Sequence, residues 1–479
     1  MNIPQKPTLL LIVLLVLFTL KGIFLAVLMP LFQNPDELTH YATVQHWATE
    51  STTFPFVSKS KTTVPPTSDD VPREPSPEVI AAAKSEQFDE IQASSHNIRH
   101  FADSSIRAYE SNSTLSTPPL IGNISGTRSI YYLVASHVER VFEDESIFTR
   151  VFFSRLLSVF IGVGIIIIAY LTARKVGFSD YNSLLIATLL AFQPMLSITA
   201  AQINIDIALI LAFSLFLYAG ASLLRDGFGT GRLFLILGAA VLGLFSKGPG
   251  IILLIMIYPL LAWLAYRWLR LPTRQYLIRL IGTTAFLFTL IFFTVPKSFL
   301  LDITRISAQS HFHSPLLSLG AYLDKTINIG EFRDTARSYW GHFGWLDHAI
   351  ADWSLSIIIV ITITGFLGTL WYLFSRQHAP YLPERKYLIF LLGMVLALEL
   401  AIRFYDWRVF DLTGQILIGQ PGRYFLPNLI AHLIIIVTGF SFLFRNILRS
   451  RLLLQSFVLA MILLQLQAIV NVIIPRYYL

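Results

Sequence analysis

Residues 8–30 read TLLLIVLLVLFTLKGIFLAVLMP, in which Lys21 is the single charged side chain. A run of about twenty apolar residues is long enough to cross a bilayer as a helix. A cleaved signal peptide would have a shorter apolar core and small residues at its cleavage site, whereas this run ends in Met29-Pro30-Leu31-Phe32. We therefore expect an uncleaved first membrane helix.

The rest of the chain continues this pattern. Of its 479 residues, 54% are hydrophobic and 14% are charged, whereas about a quarter are charged in soluble domains. Ten further runs are predicted to span the membrane, near 151–173, 183–201, 204–224, 232–247, 249–268, 276–295, 353–375, 387–402, 424–444 and 452–474. The prediction is an all-α polytopic membrane protein with about eleven transmembrane helices. This excludes a soluble enzyme and a disordered chain, and the lack of Cys excludes thiolate chemistry.

The charges between these runs predict their orientation. If the N-terminus is cytoplasmic, the loops on the cytoplasmic side are rich in Lys and Arg, as the positive-inside rule requires. Residues 31–150 on the other side carry 16 acids against 9 Lys and Arg. The expected topology is therefore N-in and C-out. The net charge of +7 then reflects topology, and nucleic acid is not an expected partner.

The chain is predicted to have five parts. They are the first transmembrane helix at 1–30, external loop 1 at 31–150, transmembrane helices 2–7 at 151–295, external loop 2 at 296–352, and transmembrane helices 8–11 at 353–479. Residues 403–423 form a short third external segment. Within the large first loop, Ser76-Pro77-Glu78 is a helix-start pattern, and we expect a short helix that continues to about Ile91.

The first candidate site follows the first helix, at NPDELTH, residues 34–40. Asn34 would cap a short helix and Pro35 would occupy its first turn, where the helix dipole favours ionised Asp36 and Glu37. An ionised Asp beside the membrane could take the proton of an acceptor hydroxyl, as a general base does. His40 lies three residues after Glu37 on the same face. A capped interfacial helix with solvated acids explains the same residues.

Basic residues at the predicted outer face form a second set of candidates. Lys247 lies among glycines on the side where the positive-inside rule disfavours it, and Arg423 begins an outer span. An Arg at this depth could bind a phosphate through two hydrogen bonds. The alternative for each is an interfacial side chain whose charged head reaches water.

Polar and aromatic groups near the same face add further candidates. Asn204-Ile-Asp206 opens a span, and SYWGHFGWLD at 338–347 alternates aromatic residues with glycines. Aromatic rings can pack on the apolar faces of sugars, although an interfacial aromatic belt gives the same pattern. Glu399 and Arg403 are four residues apart and are expected to pair with each other.

Taken together, these elements resemble the GT-C superfamily, whose members are polytopic glycosyltransferases that use polyprenyl-phosphate-linked sugars. More closely, the chain resembles a prokaryotic family of predicted membrane proteins of unknown function. The shared elements are Pro35–His40, Asn204–Asp206, Gly243–Lys247, Ser338–Trp345 and Gln420–Pro427. The chain departs from the family pattern at Pro421, which separates Gln420 from Gly422. It departs again in the first loop, where Thr117–Leu120 and Tyr131-Tyr132 are separated.

The resemblance implies a GT-C-like fold and a glycosyltransferase at the extracytoplasmic face of the plasma (inner) membrane. It implies a polyprenyl-phosphate-linked sugar as donor, a glycan, lipid or protein as acceptor, and contacts with membrane lipids. Asp36 would be the base and Glu37 its partner or a metal ligand, in an inverting transfer. The donor phosphate would be bound by Lys247, Arg423 and His342. Contacts to the substrate would come from His40, Asn204, Asp206, Trp340, Trp345 and Tyr424. Mg²⁺ or Mn²⁺ could bind the carboxylates of this set, and the sequence does not fix the metal ligands.

Other classes of function remain open on the sequence. A transporter or flippase of lipid-linked glycans often contains repeats and polar residues near the membrane midplane. The sequence has no internal repeat, and its polar candidates lie near one face. A scaffold subunit of a cell-envelope glycan assembly would not need Asp36. A glycan polymerase or ligase usually has its large external loop late in the chain, whereas here that loop comes first.

Overall fold

The computed structural model describes residues 7–49, 75–86, 88, 129–268, 314–344, 348–376, 379, 381–416, 419, 421–444 and 447–479. The predicted span at 276–295 lies outside these residues, as does most of the first loop. Nearly all regular structure within them is helical. One short antiparallel pair of strands, His342–Phe343 (β1) and His348–Ala349 (β2), aligns His342 with Ala349.

The described residues form the following α-helices, in chain order. They are α1 Pro7–Leu28, α2 Glu37–Thr49, α3 Pro77–Ser85, α4 Ile130–Val141, α5 Ile147–Val176, α6 Asp180–Ala191, α7 Pro194–Thr199, α8 Asp206–Asp226, α9 Thr230–Leu244, α10 Ile251–Trp268, α11 Pro315–Thr326, α12 Ile329–Trp340, α13 Asp352–Phe374, α14 Arg385–Thr413, α15 Leu429–Leu443, α16 Ile447–Gln467 and α17 Ile474–Tyr478. Two 3-10 helices cover Gly248–Gly250 and Gly422–Asn428, and a π-helix covers Ala468–Ile473.

Seven helices in the described residues are long and apolar enough to cross a membrane. They are Thr8–Leu28, Ile147–Val176, Asp206–Asp226, Asp352–Phe374, Arg385–Thr413, Gly422–Leu443 and Arg451–Tyr478. Two shorter apolar helices, Thr230–Leu244 and Gly248–Leu264, coincide with the predicted spans at 232–247 and 249–268. The structure thus confirms a mostly helical membrane protein, while the count of eleven spans stays a prediction.

The predicted span at 183–201 is divided into α6 and α7. Pro194 occupies the first turn of α7, and the Gln193 side chain accepts a hydrogen bond from the Leu196 N–H. Lys21 of α1 donates to the carbonyl of Ala191, at the end of α6, and to Ser197 Oγ at 2.7 Å. The single apolar run therefore contains a break, because these polar groups bind the backbone that the break leaves open.

Two tyrosines of α17 bind the end of α1 and the segment that follows it, at one end of the helix bundle. Tyr477 OH donates to the carbonyl of Gln33 at 3.3 Å, and Tyr478 OH donates to that of Leu28 at 2.5 Å. α1 packs against α5, where Gly22 faces Val159. The start of α5, the start of α8, the end of α9 and the 3-10 helix at Gly422–Asn428 lie at this same end.

The described part of the first loop rests on a buried ionic network. Arg150 of α5 binds Glu78 of α3 and Glu139 of α4, the latter at 2.6 Å, and Tyr41 of α2 donates to Glu139 at 2.8 Å. Burial raises the pKa of Glu139. Ser76 caps α3 by accepting the Val79 N–H, so the predicted helix start is confirmed, although α3 ends at Ser85.

Candidate functional site

The backbone of the NPDELTH motif differs from the predicted capped turn. α2 begins at Glu37, and Asp36 immediately before it has φ of +63°. This left-handed conformation is uncommon for residues other than Gly, and Asp is among those that adopt it most readily. The expectation that Asn34 caps the helix through its side chain is wrong, because its Nδ2 donates to the Glu37 carboxylate at 3.2 Å. The Asp36 side chain is left 55% exposed.

Glu37 faces the interior and is bound on both oxygens. Arg155 donates from Nε to Oε1 at 2.8 Å and from Nη2 to Oε2 at 2.6 Å, and the Ile203 N–H donates to Oε1 at 3.1 Å. Arg155 also donates to the carbonyls that end α1, including Met29 at 2.7 Å. Glu37 thus fastens the α1–α2 connection to α5 and leaves its neighbour Asp36 facing outward.

Asp36 belongs to one of two neighbouring ion pairs. Arg423 Nη2 lies 2.8 Å from Asp36 Oδ2, and Lys247 Nζ lies 2.6 Å from Asp206 Oδ1. The Tyr424 ring lies 4.6 Å from Lys247 Nζ and 5.5 Å from the Arg423 guanidinium carbon. We call Asp36, His40, Asp206, Lys247 and Arg423 the charged cluster. Its four charged members come from four separate segments, and their charges cancel.

His40 is the neutral member of the charged cluster. Its Nδ1 lies 2.6 Å from the Tyr132 hydroxyl of α4. Burial is the main cause that lowers the pKa of His40 to about 4; Lys247 and Arg423 lower it further, and Asp36 and Asp206 oppose the shift. The imidazole is therefore uncharged at neutral pH and can accept or donate a hydrogen bond.

Backbone contacts fix the two cations of the charged cluster. Gly422 packs so closely on the Tyr339 backbone that a Cβ would collide with it, and the Gly422 N–H donates to Ser338 Oγ at 2.5 Å. The segment before Lys247 is held by the Ile130 N–H, which donates to the Phe245 carbonyl at 2.7 Å. These contacts place Arg423 and Lys247 on rigid turns rather than on free loops.

Arg423 keeps one hydrogen-bond donor unused. Within the described part of the chain, its Nε is buried and has no hydrogen-bond partner. A buried N–H is nearly always bonded to protein, water or ligand, because an unpaired one costs free energy. Together with the neighbouring Lys247, this donor makes the charged cluster suited to an anionic group.

The other predicted site residues lie as follows. Asn204 is buried next to the start of α8, and its Oδ1 accepts a hydrogen bond from the Ile207 N–H at 3.0 Å. Trp340 is buried with its ring edge-on to Tyr339. His342 lies in β1, and its N–H contacts Met195 Sδ at 3.3 Å. Trp345 lies outside the described residues.

Two further side chains contribute to the site, although the sequence assigned neither of them a role. Tyr132 contacts His40, and Ser338 holds Gly422. A signal existed for Tyr132, because Tyr131-Tyr132 belongs to an element of the family pattern. Ser338 opens the family element Ser338–Trp345, but no local pattern predicts that its hydroxyl accepts the Gly422 N–H.

The candidate metal-binding carboxylates are engaged in ion pairs within the described part of the chain. Asp36, Glu37 and Asp206 each bind a cation of the protein, namely Arg423, Arg155 and Lys247. Among the residues that the structure describes, no three His, Asp or Glu side chains are grouped so that they could hold a metal ion. Arg423 and Lys247 are the groups of the charged cluster that can bind an anion.

Known proteins add a structure and a family to this description. The chain is similar to the Archaeoglobus fulgidus oligosaccharyltransferase solved with zinc and sulfate, at 14% identity and a TM-score of 0.40 over 74% of this chain. It spans 45% of the length of that protein. No curated protein matches the chain. Residues 18–465 match the family of predicted membrane proteins DUF2142. Because this match covers most of the sequence, the chain belongs to that family, as its sequence elements predicted.

Proposed function

We propose that the protein is a GT-C-type membrane glycosyltransferase. It moves a sugar from a polyprenyl-phosphate-linked donor to an acceptor at the extracytoplasmic face of the plasma membrane. The observation that carries this proposal is the charged cluster, where the unpartnered Nε of Arg423 lies beside Lys247 and a partly exposed Asp36. The cluster joins a phosphate-binding group and a candidate base at one end of the bundle.

The cations bind the donor phosphate in this proposal. Arg423 exchanges Asp36 for the phosphate, which a guanidinium can bind through two parallel hydrogen bonds. Lys247 adds a second positive charge from a fixed turn. As the bond between the anomeric carbon and the phosphate oxygen breaks, that oxygen leaves with the bonding electrons. Arg423 and Lys247 stabilise the charge that grows there.

Asp36 becomes available as a base when Arg423 moves to the phosphate. Its carboxylate takes the proton of the acceptor hydroxyl while the hydroxyl oxygen forms the new bond to the anomeric carbon. A single displacement of this kind inverts the anomeric centre. The donor therefore binds before Asp36 is released from Arg423, and this order limits hydrolysis of the donor by water. Glu37 acts through the backbone by holding Asp36 in its outward position.

The test is sugar transfer by the purified protein from a panel of radiolabelled polyprenyl-phosphate sugars to membrane extracts. Asp36→Asn suits the comparison because Asn also tolerates a positive φ. General-base catalysis contributes roughly 10²–10⁴-fold, so we expect kcat to fall by about that factor while donor binding remains. Asp144→Asn, an exposed acid in the first loop, is the control. EDTA in a parallel set of reactions tests the metal requirement.

Two outcomes contradict the proposal. Full transfer by Asp36→Asn moves the base elsewhere, and Asp206 is then the next carboxylate to test. No transfer from any donor, combined with stable binding of lipid-linked glycans, favours a flippase or a scaffold subunit.

A further inference from the structure

Lys21 is the single charged side chain of α1, and it lies outside the charged cluster. It precedes Leu28, the last residue of α1, by seven residues, which corresponds to about 10 Å of helix. Its ammonium binds inside the bundle, where it donates to the Ala191 carbonyl and to Ser197 Oγ at 2.7 Å. A charged group within a membrane run is costly, and such a residue usually has a function.

The ammonium of Lys21 lies at the break between α6 and α7. The Ala191 carbonyl ends α6, where a positive charge matches the negative end of the helix dipole. Ser197 belongs to α7. The rings of Phe18 and Phe192 lie 5.0 and 4.8 Å from Nζ, at distances typical of cation–π contacts. Lys21 therefore fixes both the end of α6 and the short helix α7 to one point of α1.

The first end of α7 contacts the segment that carries Arg423. Gln193, which caps α7, donates from Nε2 to the Tyr339 carbonyl at 2.6 Å. The backbone of Tyr339 packs on Gly422 without room for a Cβ, and Gly422 immediately precedes Arg423. The position of α7 is therefore transmitted to the turn that holds the guanidinium.

The other end of α7 contacts the segment that carries Asp206. Asn204 donates from Nδ2 to the carbonyl of Thr199, the last residue of α7, at 2.8 Å, and accepts the Ile207 N–H at 3.0 Å. Asp206 begins α8 and binds Lys247. The short helix α7 is thus hydrogen-bonded to a segment of each ion pair in the charged cluster.

We propose that Lys21 is a positioning residue of the charged cluster. By fixing α7, it sets the separation between Arg423 and Lys247, and this separation determines how well the two cations bind one phosphate together. The inference rests on the proposed function, because it takes the donor phosphate to lie at these cations. A Lys21 that only stabilised the fold would leave the affinity of Arg423 for phosphate unchanged.

The test is a double-mutant cycle of Lys21→Met and Arg423→Gln, with binding of radiolabelled polyprenyl phosphate to the purified full-length protein as the readout. We expect Lys21→Met to raise the Kd about fivefold, an effect of the size found for residues that act on a site through packed neighbours. In the Arg423→Gln background, which itself binds weakly, Lys21→Met should cause no further loss. Substitutions that act independently would instead have additive effects on the binding free energy.

Thr19→Val is the matched control on the same helix. It removes a hydroxyl that donates to the Leu15 carbonyl within α1, and it should bind like wild type. Gln193→Met replaces Lys21→Met if that variant does not fold, because it removes the hydrogen bond to Tyr339 directly. Additive effects in the cycle overturn the inference, and so does an unchanged Kd for Lys21→Met.

The readout separates this inference from the proposed function, because binding requires no transfer. Coupling between Lys21 and Arg423 without transfer from any donor keeps the positioning role at a phosphate site and rejects the transferase. Transfer that Asp36→Asn abolishes, combined with additive effects in the cycle, keeps the transferase and rejects the role of Lys21. Wild-type affinity of Arg423→Gln rejects both.

Discussion

Adjacent carboxylates in this protein have opposite surroundings. Asp36 is mostly exposed and holds one cation, whereas Glu37 is buried and accepts hydrogen bonds from Arg155, Asn34 and Ile203. The left-handed φ of Asp36 turns the two side chains apart. At the scale of single residues, the backbone therefore separates a structural acid from a candidate base.

Replacing Glu37 tests this separation. Glu37→Gln leaves the buried Arg155 without its counterion, and breaking a buried pair from one side costs about 3–5 kcal/mol. We expect a large fall in the thermal unfolding midpoint in detergent. Asp36→Asn, at an exposed position, should unfold near the wild-type temperature. If Glu37→Gln is as stable as wild type and loses transfer, Glu37 has a chemical role.

His40 predicts a dependence of stability on pH. Burial lowers its pKa from the ordinary value near 6.5 to about 4. Between these values the unfolded chain binds a proton at His40 and the folded chain does not, so acidification favours unfolding. The free energy of unfolding therefore does not change with the protonation of His40 above about pH 6.5, and it decreases as the pH falls from 6.5 towards 4. Across this pH range, the thermal unfolding midpoint of His40→Gln should fall less steeply with decreasing pH than that of wild type. His137→Gln, at an exposed position on α4, should keep the wild-type slope.

Single residues also show why part of the site was predictable. Asp36, Asp206, Lys247 and Arg423 are charged groups next to membrane runs, where charges are costly without a partner or a function. Their pairing, by contrast, joins segments up to 387 positions apart in sequence, which no local pattern encodes. The Arg155–Glu37 contact escaped prediction for the same reason.

At the scale of elements, α13 and α15 show how close packing replaces the hydrophobic effect inside a membrane. Gly365 and Gly439 meet at the crossing, and Thr369 Oγ1 donates to the Ile435 carbonyl at 2.6 Å. Small residues let helix backbones approach so that dispersion contacts and interhelical hydrogen bonds can form.

Adding a methyl group at this crossing should separate the helices. A Cβ at Gly439 would overlap the Gly365 carbonyl, and overpacking of this kind costs roughly 1–3 kcal/mol. We expect Gly439→Ala to lower the unfolding midpoint. Gly164→Ala on α5 is the control, because its Cβ would meet no atom within 4 Å and Ala favours a helix by about 0.5–1 kcal/mol. Equal stability of the two variants would argue against close packing at the crossing.

Elements were predicted best where hydrophobicity alone determines them. Long runs such as 8–30 and 353–375 became single helices. The run at 183–201 did not, because Pro194 begins a new helix that the Gln193 side chain caps, and Lys21 of α1 binds the carbonyl at the end of α6. Residues 403–413, predicted to belong to a short external loop, are instead helical, because α14 continues to Thr413. The predicted Glu399–Arg403 pair within α14 is confirmed.

At the scale of the whole molecule, the charges of the loops predict that the candidate residues lie on one side of the membrane. The structure brings Asp36, His40, Asp206, Lys247 and Arg423 together at one end of the bundle. Which side of the membrane this end faces stays a prediction. It determines the donor that can reach the site, because a polyprenyl-linked sugar can be presented at the outer face, where nucleotide sugars are absent.

Cysteine labelling can establish the sidedness directly, because the natural chain has no Cys and each single-Cys variant has no background. Glu143→Cys, exposed between α4 and α5, and Glu331→Cys, exposed on α12, lie at the end predicted to be outside. Thr230→Cys, exposed at the start of α9, lies at the opposite end.

A membrane-impermeant maleimide applied to intact cells should label Glu143→Cys and Glu331→Cys, and should label Thr230→Cys only after lysis. The reason is that Lys and Arg are retained on the cytoplasmic side during insertion, which fixes the direction of every helix. The reverse pattern would place the charged cluster in the cytoplasm and contradict the proposed donor. Labelling of Glu143→Cys without Glu331→Cys would mean that the spans between them are odd in number.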